Sequence, residues 1–157
     1  MRRKHRVLIV AAAVAMLVSG CRNNVFYSHS ESVDDRGWSL DDSRNFHIDI
    51  TDTTQLYDFY VDLRVTNQYP YSNFFFFITT QHPDGALSSD TLECPLAAPD
   101  GSWLGRSSGR FVSNRYYFRK NVRFPQQGVY QFSVIHGMRD SAITGVHDIG
   151  FHIEYAE

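Results

Sequence analysis

The run Tyr57 to Thr66 places Tyr57, Phe59, Val61, Leu63 and Val65 at odd positions and Asp58, Tyr60, Asp62, Arg64 and Thr66 at even ones. Successive side chains of a strand point to opposite faces, so this alternation makes one dry face and one wet face. A helix would scatter the same residues around its circumference. Three other segments carry the same signal. Phe46, Ile48 and Ile50 oppose His47, Asp49 and Thr51. Tyr116, Phe118, Lys120, Val122 and Phe124 oppose Tyr117, Arg119, Asn121 and Arg123. Ile149, Phe151, Ile153 and Tyr155 oppose Gly150, His152 and Glu154. Two further runs, Asn73 to Thr80 and Val129 to His136, are apolar at both parities, which predicts central strands covered on both faces.

Aromatic residues make up 15% of the chain, a bias that suits strands. Turn signals at Tyr69 (YPYSN), His82 (HPDGA), Ala98 (APDGS) and Phe124 (FPQQG) separate the runs. The expected fold class is therefore all-β: an antiparallel β-sandwich, jelly-roll or immunoglobulin-like, of seven or eight strands. The one helical candidate outside the N-terminus is a turn or two at Met138 to Ile143.

The N-terminus has its own logic. Arg2, Arg3, Lys4 and Arg6 precede an apolar run from Val7 to Val18, too short for the roughly 20 residues of a spanning helix. Ser19 and Gly20 then lead into Cys21, the order of a lipoprotein signal peptide ending in a lipobox. The expected organisation is a signal peptide at 1–20, a lipidated Cys21 with a short tether to residue 36, and a single sandwich domain at 37–157. The acyl group on Cys21 is the only covalent group expected; no cofactor is implied. Arg22 and the following Asn23-Asn24-Val25-Phe26 lack acidic sorting residues, which favours an outer-membrane lipoprotein facing the periplasm. Cleavage would remove four of the 15 basic residues and none of the 17 acidic ones, leaving a formal charge near −6. Such a domain is a poor partner for nucleic acid, and the membrane is reached through lipid alone.

The remaining cysteine, Cys94, has no partner and lies near Leu92 and Leu96, as a small buried hydrophobe does. No metal site is expected. The closest late histidines, His147 and His152, differ by five positions, and on one continuous strand they would face opposite ways. The acids Asp34-Asp35, Asp41-Asp42, Asp49 and Asp52 lack the spacing of a calcium loop. No nucleophile elbow, phosphate loop or marked carboxylate pair is present, so nothing in the sequence argues for an enzyme.

The stretch Ala98 to Phe111 (APDGSWLGRSSGRF) is the most unusual. It holds Gly101, Gly105 and Gly109, a single Trp103, and Arg106 and Arg110. Trp and Arg dominate binding hot spots, although a loop Trp also serves to plug the end of a sandwich. Trp38, with strand-like neighbours, is expected in the core.

These motifs together resemble a known family. The lipobox at Cys21, YPYSN at Tyr69, PLAAPDGSWLGRSSG at Pro95, FPQQGVYQFSVIHGMR at Phe124 and ITGVHDIGFHIE at Ile143 follow one another as in the gliding-motility lipoprotein GldH family of Bacteroidetes. The resemblance implies a non-enzymatic envelope lipoprotein whose partners are envelope proteins of the gliding and secretion apparatus. The family supplies no catalytic or ligand residues. The candidate contacts come from the residues themselves: Trp103, Arg106, Arg110, Arg139, Tyr69 and Tyr71, with an internal Arg139–Asp148 pair as the competing role for Arg139. The alternative reading is a surface carbohydrate-binding module whose platform would be Trp38, Trp103 and the tyrosines of YPY.

Overall fold

The alternation that begins at Tyr57 is realised as a ten-residue strand whose odd residues are all buried. The computed structural model describes residues 24–34 and 36–156; the signal peptide and Cys21 lie outside them. In chain order the strands are β1 (Val25–Ser32), β2 (Trp38–Ser39), β3 (Arg44–Ile50), β4 (Tyr57–Thr66), β5 (Asn73–Gln81), β6 (Leu87–Pro95), β7 (Arg106–Ser108), β8 (Phe111–Val122), β9 (Gly128–His136), β10 (Ala142–Ile143) and β11 (Val146–Tyr155). They form a five-stranded sheet, β1-β11-β4-β8-β7, a four-stranded sheet, β3-β9-β5-β6, and a small β10-β2 ribbon. All of these pairings are antiparallel.

Taken alone in chain order, the eight long strands run first-eighth-third-sixth in one sheet and second-seventh-fourth-fifth in the other. That is jelly-roll connectivity rather than immunoglobulin-like connectivity. The core between the sheets is aromatic. Phe46 meets Phe151 at 5.0 Å between ring centroids, Phe124 meets Tyr130 at 4.6 Å, and Phe74 meets Phe76 at 4.6 Å. Trp38 is fully buried, stacks on Phe74 and donates Nε1–H to the Asp42 carbonyl at 2.6 Å. Cys94 is fully buried too, and burial pushes its thiol up to about 12, so it packs as a hydrophobe.

Several expectations are corrected. Residues 25–32, read as tether, form β1 and pair with β11 along their length. The runs at 73–80 and 129–136 are covered on one face only: Phe77 is 46% exposed and Val129 52% exposed. Both sit on the outer face of a sheet over which no layer of the described residues is stacked. Met138 to Ile143 is not helical; its last two residues are β10, and no helix occurs among the described residues. The shared face of Tyr116 to Phe124 breaks at Lys120. The β8–β4 register shifts opposite Tyr57 to Tyr60, Asn121 takes φ +52°, and Lys120 turns over the Tyr117 ring on the outer face.

Candidate functional site

Strand direction sorts the loops into two ends. The antiparallel registers bring the start of β1, the end of β11, the start of β4 and the end of β8 together. Asn24 closes this near end: the Tyr155 amide donates to its carbonyl at 3.0 Å. Its connections are the short segments 51–56, 82–86 and 123–127. The other connections lie at the opposite, far end: segments 33–43, 67–72, 96–110 and 137–145, with the three short strands.

All six candidate contact residues fall at the far end, contributed by the 67–72, 96–110 and 137–145 segments. They do not play equal parts. Tyr69 is 4% exposed, belongs to the core and donates its hydroxyl to the Asn73 carbonyl at 3.2 Å, so it has almost no surface to offer. Burial raises its phenol pKa. Tyr71, its neighbour at 5.8 Å between centroids, is 38% exposed and hydrogen-bonds Asp140, which raises its own pKa. The Tyr71–Asp140 bond ties segment 67–72 to segment 137–145. Trp103 is half-buried, bridges Ala97 and packs against the core; it mainly closes the end of the sandwich.

The arginines are different. Arg106, Arg110 and Arg139 are exposed, and among the described residues none of them forms an ion pair. Arg139 does not pair with Asp148, because Asp148 accepts from Arg64 Nε at 2.6 Å and lies 2.9 Å from His147 Nδ1. Arg110 lies over the Phe111 ring at 4.8 Å, and its carbonyl accepts from the Asn67 amide at 2.8 Å. Beside it is a polar recess of about 240 Å³ lined by Gln68, Thr144 and His147 among others. Three exposed guanidiniums with no internal carboxylate leave this end able to bind acidic groups.

Parity misjudged one histidine. A bulge between Val146 and Asp148 sends His147 toward Phe111, 4.5 Å away between ring centroids, and toward Asp148. His152 bonds Glu154 instead, at 2.9 Å, and no three-ligand metal cluster occurs among the described residues. His136, unmarked in the sequence, is fully buried in contact with Trp38, with both ring nitrogens unbonded. Burial lowers its pKa; the Trp38 backbone and Asp140 offset part of that. The proposed sugar platform is dismantled, since Trp38 and Tyr69 are interior.

Residues 25–153 match the family model described as GldH lipoprotein. The chain is 33% identical over 149 residues to a gliding motility lipoprotein GldH homolog of Christiangramia forsetii, covering 90% of this chain and 91% of that one. It is 30% identical over 161 residues to the gliding motility lipoprotein GldH of Flavobacterium johnsoniae, covering 98% of each. Among solved structures, an insecticidal delta-endotoxin of Bacillus thuringiensis aligns with TM-score 0.41 and 12% identity, over 74% of this chain and 18% of that one.

Proposed function

Because the chain belongs to the GldH lipoprotein family, we propose that it is a non-enzymatic lipoprotein of gliding motility, held at the periplasmic face of the outer membrane, that docks a protein partner through its far end. The carrying observation is the separation of the two ends. The chain enters the fold at Asn24, three residues after the proposed lipid on Cys21, and the exposed Arg110 and Arg139 lie at the other end, although Arg123, also exposed and without an ion pair among the described residues, lies at the near one. Strands of nine or ten residues span about 30 Å at 3.3 Å per residue, so an anchored sandwich would hold Arg110 and Arg139 that far from the bilayer. The partner surface is acidic, to match them.

The test is a host strain lacking its native copy, complemented with the full chain or its Arg110→Glu/Arg139→Glu variant. The expected result is an unchanged level of membrane-anchored protein with loss of spreading and of partner co-purification. Full spreading by the variant would overturn the docking surface. Degradation of the domain by protease on intact cells would overturn the periplasmic placement.

A further inference from the structure

The outer face of the five-stranded sheet carries a second arrangement, which shares Arg106 with the far-end segment 96–110. Strand registers set Ser30, Gly150, Asp62 and Arg115 in one cross-strand row. Ser32, Asp148, Arg64, Ser113 and Arg106 make the next row. Gly150 presents no side chain, and one could not be added freely, because a Cβ there would stand 2.4 Å from Ser30 Oγ. Ser30 packs over that position, and small Ser30 and Ser113 beside the taller Arg64, Arg106 and Arg115 line an open trough of about 730 Å³. Tyr60 and Tyr117, tilted against each other at 4.4 Å between ring centroids, form the following row, next to the residues that line the trough, and Tyr117 is 48% exposed.

We infer that this trough binds a carboxylate-bearing oligosaccharide. The lining offers fixed donors and acceptors together. Arg115 grips Asp62 through two hydrogen bonds of 2.6 and 2.8 Å, and Arg64 grips Asp148. Each pair is thereby held in place while the partly exposed arginines keep unused N–H groups, and Asp62 some carboxylate lone pairs, toward solvent. A hydroxyl both donates and accepts, so a row of sugar hydroxyls matches such paired groups. A simple anion would meet Asp62 and Asp148 along most of the trough. Of the trough's three arginines, Arg106, at the β7 edge, is the one with no acidic partner among the described residues, and there a carboxylate fits. The apolar edge of Tyr117 supplies a contact for a sugar's C–H groups. The inference stands apart from the docking surface, which uses Arg110 and Arg139.

The test is titration of the detergent-solubilised full chain with four probes: soluble peptidoglycan fragments, oligogalacturonate, neutral cellohexaose and oligoglutamate. The proteins are the unaltered chain, Arg106→Ala, and Asp62→Ala/Arg115→Ala, which removes both members of a pair and leaves neither orphaned. The expected result is saturable binding of at least one carboxylated saccharide, weakened tenfold or more in both variants with near-ultraviolet circular dichroism unchanged. Binding of peptidoglycan fragments alone would identify cell wall as the source; binding of oligogalacturonate alone would identify an extracellular polysaccharide. Equal or tighter binding of oligoglutamate or cellohexaose overturns the inference, as does unaltered affinity in either variant. Absence of saccharide binding at millimolar concentration overturns it as well.

Discussion

Arg64 on β4 donates from Nε to Oδ2 of Asp148 on β11, at 2.6 Å, and so joins two central strands on the wet face of the sheet. Asp148 is nearly buried, its side chain 12% exposed, while that of Arg64 is 42% exposed. The pair therefore falls between a surface bridge and a buried one. Asp148→Asn should cost about 1–2 kcal/mol, between the small value of exposed pairs and the larger penalty of stranding a buried charge. Urea denaturation should show a lower midpoint with an unchanged slope.

The two tryptophans should behave differently. Trp38 is fully buried against Phe74, Phe76 and His136. Trp38→Ala should cost about 3–5 kcal/mol, as large aromatic truncations in cores do. Trp103, half-buried, should cost about 1–2 kcal/mol as Trp103→Ala, roughly in proportion to the area it buries. Thermal unfolding of the two variants should rank them in that order.

His136 makes stability depend on pH. Its folded pKa lies below the unfolded value of about 6.5, so as pH falls through 6.5 the unfolded chain takes up a proton before the folded one. The unfolded state then binds more protons, and stability falls with pH until the folded ring also titrates. His136→Leu, similar in volume and apolar, should flatten the loss of melting temperature between pH 7 and pH 5. An equally steep loss in the variant would assign the effect to other groups.

Gly150 controls how β1 attaches. A Cβ there would meet the His29 carbonyl at 2.7 Å as well as Ser30 Oγ, and backbone cannot swing aside as a side-chain tip can. Gly150→Ala should cost about 1–3 kcal/mol, the range for overpacking. Hydrogen exchange should report it locally, with amides of residues 25–32 losing protection before those of β4.

What could be read in advance follows from how local each cause is. β4 and β3 were legible because a regular strand repeats one physical rule at every residue. Lys120 was misplaced because a bulge resets parity, and Asn121 gives no hint of its left-handed backbone in one-letter form. β1 escaped notice because Ser28, His29 and Ser30 are exposed and give no alternation; the strand exists through its pairing with β11, more than a hundred residues away. The exposed ring of Phe77 shows that an apolar residue does not prove a covering layer. Jelly-roll order, likewise, is a non-local property that no segment carries. Of the site, the arginines and tyrosines were visible individually, and the common far end was not. The trough had a faint signal, opposite charges at Asp62, Arg64, Arg115 and Asp148 on wet faces, which only registers could assemble.

The most direct test of an anchored sandwich that works through its far end is photocrosslinking in cells. A photoreactive residue is placed either at Arg139 in the far-end loops or at Gln126 in the near-end loop 123–127. The account predicts a discrete crosslink to an envelope protein from position 139, abolished by Arg110→Glu, and none from position 126. A crosslink from position 126 with none from 139 would contradict it.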